Sequence, residues 1–377
     1  MMGPLTGHRV LEFGSIGPGP MCAMLLADLG ADVLHIERPG GDELGLGTEP
    51  RFNLLLRNRP RLALDLKRPG DAACIMEFVD RADVLIEGYR PGAMERLGLG
   101  PDACLERNPR LVYGRMTGWG QTGPLAKSAG HDLNYIALTG ALHAIGRKDG
   151  PPTPPLNLVG DFGGGALYLA FGIACALIEA TKSGKGQVVD AAMTDGAASL
   201  MTAFYGLQAA GSLDSRRGSN VLDSGAPFYE VYCCKDGKYL SIAAIEPKFR
   251  AGLYRRLGFD PAEAHAAGNP ETWPAEKQRI AQRIAEFTRD EWVRWFEGYD
   301  ACVAPVLSLD EAPHHPHNEA RGTFVEIDGI AQPAPAPRFS RTTADTPKPP
   351  AQAPIDLREA LASWGVTKKR IDELLTT

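Results

Sequence analysis

The sequence predicts an α/β fold in which a parallel sheet is followed by a smaller α+β domain, and three observations predict it. Arg9-Val10-Leu11-Glu12-Phe13, a turn rich in Gly and Pro, a helical stretch from Met21 to Gly30 and the apolar strand Asp32-Val33-Leu34-His35-Ile36 form one βαβ unit, a motif whose strands are parallel with a right-handed crossover. Strand and helix patterns go on alternating as far as Asp190. The composition then changes: residues 211–225 are polar and glycine-rich, which marks a linker. Phe228 to Ala244 alternates around Asp236-Gly237, the signature of an antiparallel hairpin.

Each further element has its own warrant. The basic stretch Arg57 to Lys67 surrounds a strand at Leu62–Leu66. A helix over Asp71–Arg81 leads into the strand Asp83–Glu87, which ends at Gly88-Tyr89-Arg90-Pro91-Gly92. Open parallel sheets bind ligands beyond the carboxyl ends of their strands. Arg38 and Arg90 stand at two such ends and are suited to a phosphate. Short helices at Ala93–Leu97 and Pro101–Glu106 precede the strand Leu111–Arg115 and an uncharged, glycine-rich loop, Met116 to Pro124, fit to wrap a ligand. Gln187–Asp190 is the last strand of the first domain, and Asp195 caps a helix reaching Ala210. Helices are expected over Pro247–Leu257, Ala275–Arg289 and Glu291–Glu297, and two more, Asp356–Ser363 and Thr367–Leu375, after the proline-rich Pro333–Pro354. The domain plan is a large domain 1–210, a linker 211–226, a small domain 227–300, a linker 301–330 and a C-terminal segment 331–377.

Composition excludes several function classes. The chain has 377 residues and a formal charge of −6, with no basic run, which argues against nucleic acid as a partner. Seven scattered cysteines without metal-type spacing read as reduced thiols in a cytoplasmic compartment. The N-terminus lacks a charged-then-apolar leader pattern, and the uncharged run Phe162–Ile178 falls short of a membrane span. It is expected to be a buried helix at the packing centre of the first domain. The first turn tempts towards a dinucleotide, with Glu37 on a ribose, but its glycines are not spaced G-x-G-x-x-G. Pro18 and Pro20 also remove donors that a pyrophosphate would use. His314-His315-Pro316-His317 reads as an exposed loop, since no matching ligand pattern lies nearby.

The chain is organised around Gly130 to Lys182. Asp161, ahead of three glycines and a long apolar run, stands where a helix begins and is suited to cap it. His131 sits on a turn between Gly130 and Asn134. An imidazole and a carboxylate presented from two helix starts are the parts needed to move a proton. Each also has an ordinary reading, Asp161 as a cap and His131 as a hydrogen-bonded structural histidine.

Leu11-Glu12 with Gly17-Pro18-Gly19-Pro20, Ala27 to Val33, Glu37-Arg38-Pro39-Gly40, Asp65-Leu66-Lys67, Arg90-Pro91-Gly92 and Gly118 to Pro124 resemble the family III CoA-transferases. Within that family, Gly130-His131-Asp132-Leu133-Asn134-Tyr135, Asp161-Phe162-Gly163-Gly164-Gly165, Ala244 to Phe249 and His315 to Phe324 resemble the 2-methylacyl-CoA racemases. The resemblance implies an interlocked homodimer of two ring-shaped subunits, each with a Rossmann-like large domain and a small α+β domain. It implies CoA contacts at Arg38, Asn58, Arg59, Pro60, Arg61, Arg90, Gly130, Asp132, Leu133, Asn134 and Tyr135. His131 and Asp161 would be the acid/base pair acting on opposite faces of the α-carbon, and Glu246, from the partner subunit, would orient the histidine. The helix start after Asp161 would favour the enolate oxygen. No metal or organic cofactor is implied, CoA being part of the substrate. Two rivals remain open: a CoA-transferase with Asp161 as nucleophile, and a CoA-ester-binding protein without turnover.

Overall fold

A computed structural model describes residues 2–40 and 49–376. The chain forms two compact units. One runs through Thr139, resumes over Leu156–Leu200 and again from Gly322, and the other comprises Gly140–Pro155 and Met201–Arg321.

In the first unit, β1 (Arg9–Phe13), β2 (Asp32–Glu37), β3 (Arg61–Ala63), β4 (Val84–Glu87), β5 (Val112–Thr117) and β6 (Gln187–Ala192) make one six-stranded sheet in the order β3-β2-β1-β4-β5-β6. Every pairing in it is parallel. The order reverses between β1 and β4, where a crevice opens in such sheets. Both faces are covered, as parallel sheets require. The two-residue period of β1 sends Leu11 and Phe13 into one core with Phe78 and Trp364, and Val10 into the other with Ala23 and Ile173.

The helices of this unit are α1 (Pro18–Asp28), α2 (Pro69–Val79), α3 (Ala93–Arg96), α4 (Pro101–Arg107), α5 (Asp132–Ala137), α7 (Leu167–Ser183), α8 (Met193–Leu200) and two C-terminal helices, Leu357–Ser363 and Lys368–Thr376, while α6 (Ala141–Ala144) belongs to the second unit. A wide, π-helical turn over Leu158–Ala166 runs straight into α7. The resulting helix, Leu158–Ser183, is 26 residues long and apolar enough, by length and composition, to cross a membrane. The helix outruns the uncharged stretch Phe162–Ile178 by taking in Asp161, Glu179 and Lys182. It is also not buried all round: Leu169, Ile173, Ala176 and Ala180 pack on the sheet, whereas Leu167, Phe171 and Ile178 are exposed. The three-and-four spacing of the first set gives the helix a single core-facing stripe.

In the second unit, β7 (Tyr229–Cys233) and β8 (Tyr239–Ala243) form the antiparallel hairpin around Asp236-Gly237, and β9 (Val303–Val306) adds to the β8 edge. Pro305 is tolerated there because an edge strand can spare a donor. The helix expected from Asp195 to Ala210 is broken at Met201 into α8 and α9 (Thr202–Ala209), and Asp195 lies in the first turn of α8 instead of capping it. Residues 140–155, expected in the large domain, join the second unit because the Arg217 guanidinium donates to the carbonyls of His143 (2.8 Å) and Gly150. The region 301–330, expected to be a linker, holds β9, and beyond it β10 (Phe324–Ile327) pairs with β11 (Ile330–Pro333) in the first unit. Asp328 and Gly329 both have positive φ (54° and 73°), the geometry of a tight hairpin turn.

The C-terminal segment completes the first unit's core. Ile355 N–H donates to the Arg61 carbonyl at 2.7 Å, and Trp364, 2% exposed, meets Phe78 edge-on at 5.3 Å. Trp364→Ala is expected to cost about 3–5 kcal/mol, read as a lowered urea midpoint for this unit.

Candidate active site

At the reversal of strand order, the loops after β1, β4 and β5 enclose a cavity of about 280 Å³ within the first unit. Ser15, Gly88, Arg90 and Trp119 line it from those loops, and His131 and Asp161 line it from the segment Gly130–Ala166. The two side chains singled out for proton transfer therefore share one cavity.

His131 is the N-cap residue of α5, in extended backbone (φ −134°, ψ 173°). Its own N–H donates to Asn134 Oδ1 at 3.1 Å, half of a capping box. Tyr135 stacks edge-on against Trp119 at 4.8 Å, and its hydroxyl donates to the Gly130 carbonyl. The loop ahead of the histidine is thus pinned from two sides. Asp132 and Leu133 open the helix, so their N–H groups are among the orphan donors of a helix start.

Asp161 is not a helix cap. The helix starts three residues earlier, at Leu158, and Asp161 lies in its wide first turn, where Phe162 N–H reaches five residues back to the Asn157 carbonyl (3.2 Å). Asp161 N–H has instead the Asp132 carboxylate, Oδ1 at 2.7 Å. That overturns the expectation that this helix start would stabilise an enolate oxygen, because the amide beside the carboxylate is already taken. The Asp161 side chain accepts from Asn157 Nδ2 at 3.0 Å. Its Oδ2 also lies 2.7 Å from the point where a Cβ on Gly17 would stand, and Gly17 has φ +67°. A side chain at position 17 would collide with the carboxylate and strain the backbone. Burial pushes the Asp161 carboxyl above its ordinary range; the Asn157 hydrogen bond opposes this, the Asp132 charge adds to it and His131 opposes it.

Among the other residues expected at a ligand, Arg90, Gly130 and Tyr135 line the cavity. Arg38, Asn58, Arg59, Pro60, Arg61, Asp132, Leu133 and Asn134 do not. Arg38 is exposed beyond β2. Asn58 is buried, with Nδ2 donating to Asp28 at 2.7 Å and Oδ1 accepting from Lys348 N–H at 2.7 Å. Arg59 is buried against Glu12 at 2.6 Å, and Arg61 grips Glu37 with two bonds of 2.9 and 2.8 Å. These side chains are engaged within the fold, and Arg61 also takes Glu37 from any ribose. Leu133 is exposed, Asn134 caps His131, and Asp132 faces the interior. Glu246, the N-cap residue of the helix Pro247–Leu257, is exposed on the second unit. Two lining groups escaped the sequence: Ser15 Oγ and Trp119 Nε1 are buried with no hydrogen-bond partner among the described residues. Trp119 stood in the loop marked for ligand wrapping; nothing marked Ser15.

The family model for CoA-transferase family III matches residues 5–355. The chain belongs to CoA-transferase family III. Relatives within reach of this family III chain include the alpha-methylacyl-CoA racemases of Mus musculus, 46% identical over 90% of this chain and 87% of theirs, and of Homo sapiens, 43% identical over the same shares. The acetyl-CoA:oxalate CoA-transferase of Acetobacter aceti is 32% identical over 88% of each chain. A CAIB/BAIF family protein from Brucella suis has a similar fold, with a TM-score of 0.83 at 24% identity over 97% of this chain and all of that one.

Because the folded protein disfavours ionised Asp161, its charge opposes folding above the folded-state pKa, and that penalty is absent below the unfolded-state pKa. Asp161→Asn is therefore expected to raise the Tm at pH 7, with the gain shrinking as the pH falls through the carboxyl's titration, measured by thermal melts across pH.

Proposed function

We propose that this chain interconverts the (R)- and (S)-epimers of 2-methylacyl-CoA thioesters by 1,1-proton transfer through an enolate. The observation that carries the reading is the presence of His131 and Asp161 in the wall of one cavity at the sheet's switch point. The racemases among its relatives support the substrate class.

Epimerisation needs a base on one side of the α-carbon and an acid on the other, exchanging roles with the epimer bound. In one direction Asp161 takes the α-proton and His131 returns one to the opposite face; in the other the roles reverse. A carboxyl raised above its ordinary range moves towards the range of an imidazole, which suits a pair whose members must serve as both acid and base. The enolate oxygen is served by the orphan N–H groups of Asp132 and Leu133, next to the imidazole. Arg90, exposed at the cavity rim, takes a phosphate of CoA, and the pantetheine arm crosses the carboxyl ends of β1 and β4. The chemistry calls for no metal or organic cofactor beyond the CoA of the substrate.

The working form is a homodimer, interlocked as in the family resemblance, in which the partner subunit's Glu246 orients His131. Exposure of Glu246 and of the apolar Leu167, Phe171 and Ile178 supports it, since apolar patches of this kind mark interfaces.

One pure epimer of a 2-methylacyl-CoA incubated in deuterated water is expected to give both epimers, labelled at the α-carbon. His131→Ala and Asp161→Asn are each expected to slow epimerisation by roughly 10²–10⁴-fold. Arg90→Ala is expected to raise KM about tenfold with kcat nearly unchanged. Transfer of CoA to an added carboxylic acid without α-label would establish the transferase alternative, and unchanged rates in both variants would remove the pair from the chemistry.

A further inference from the structure

We infer that Asp132 is a positioning residue for the proton transfer, its carboxylate anchoring the Asp161 backbone and standing as a fixed negative charge beside that acid. The inference rests on the racemase reading of Asp161 and adds a residue to it.

Asp132 is 8% exposed and absent from the cavity wall. Its Oδ1 accepts the Asp161 N–H at 2.7 Å, a short, charge-assisted bond. Oδ1 also lies 2.4 Å from where a Cβ on Gly160 would stand, so the residue before Asp161 must be glycine for the carboxylate to fit. Its Oδ2 is buried with no partner among the described residues. A tether alone needs one acceptor oxygen, which an asparagine would also provide. A carboxylate with half its acceptor capacity unused is costly to bury, and what it adds beyond an amide is charge.

That charge acts on Asp161 among few others. His131 opposes it from the N-cap of α5, Asn157 donates to Asp161 from the start of the wide turn, and the Tyr135 phenol faces the pair from α5. α1 presents Gly17 and Pro18 and α8 presents Met193, none of them charged, while the loop after β4 presents Arg90. Because His131 immediately precedes Asp132, one short stretch of chain supplies one member of the proton pair and tunes the other.

The test compares wild type, Asp132→Asn and Asp132→Ala. Protein labelled with ¹³C at aspartate Cγ is titrated by NMR, the Asp161 resonance being assigned by its loss in Asp161→Asn. In Asp132→Asn that carboxyl is expected to titrate roughly half to one pH unit lower. The acid limb of kcat/KM should fall by the same amount for both epimers, because the ratio of their kcat/KM values is fixed by a pH-independent equilibrium constant. Asp132→Asn keeps the tether, so its plateau rate is expected to fall less than about tenfold, while Asp132→Ala loses roughly 10²-fold with a Tm close to that of Asp132→Asn. An Asp161 titration that does not move in Asp132→Asn overturns the inference, as does a uniform loss of rate with both limbs unmoved. If the titration moves but wild type incorporates no α-deuterium, the electrostatic role stands and the racemase reading falls.

Discussion

The first amides of a helix have no carbonyl behind them, and in this protein one of those amides belongs to Asp161. The wide turn pairs Phe162 N–H with Asn157 and leaves Asp161 N–H to be satisfied from outside the helix. The Asp132 carboxylate meets that need, and the rest of the site follows from it. Asp132 heads α5, so the bond fixes α5 against the wide turn. It places His131, the residue before it, at the rim of the same cavity. Gly160 makes room for the anchor and Gly17 for the anchored carboxylate. A single amide thereby sets the spacing between two elements separated by twenty residues of chain.

The strand order is that of dinucleotide-binding sheets, yet the same frame is fitted out for another chemistry. In a dinucleotide site the helix after the first strand offers its free N–H groups to a pyrophosphate. Here α1 begins with Pro18 and Pro20 around Gly19, and the space beside Gly17 is filled by the Asp161 carboxylate. The anion at this helix start belongs to the protein. Glu37 is likewise withdrawn from any ribose by Arg61. Beside it, fully buried Glu12 is held between His35 (2.9 Å) and Arg59 (2.6 Å). Burial pushes the Glu12 carboxyl up, but the Arg59 and His35 charges outweigh it and hold it below the ordinary range. Those ion pairs brace the β1–β2 side of the crevice and engage the side chains of the basic stretch.

What the sequence disclosed was what is local. The strand β1, the Asp236-Gly237 hairpin and the helix Pro247–Leu257 depend on period, turn residues and proline at a helix start, all legible within a dozen residues. The pairing of His131 with Asp161 in one cavity came from resemblance, and no local pattern reports that two segments thirty residues apart will meet. The cap reading of Asp161 failed because a π-helical turn has no compositional mark: three glycines and an aspartate look like the start of an ordinary helix. The side-chain partners of Asn58–Arg61 were not legible either, because a basic run looks the same whether it faces phosphates or the distant Asp28, Glu12 and Glu37. The β10–β11 hairpin is a different case, since Asp328-Gly329 is a strong turn signal lying inside a stretch already set aside as a linker.

The environment of Asp161 also bears on which family III chemistry it serves. A carboxylate that attacks a thioester must later depart from an anhydride or be attacked within one, and it departs more readily when it is weakly basic. A carboxylate that carries a proton to and from carbon is served by the opposite tuning, because a stronger base removes a weakly acidic proton faster. Burial and the neighbouring Asp132 both push the Asp161 carboxyl upward, against the hydrogen bond from Asn157 and the pull of His131. The surroundings thus strengthen the base and weaken the leaving group. An imidazole in the same cavity has no part in anhydride chemistry, but it is the required second proton carrier for epimerisation. Placement and tuning favour the same reaction on separate physical grounds.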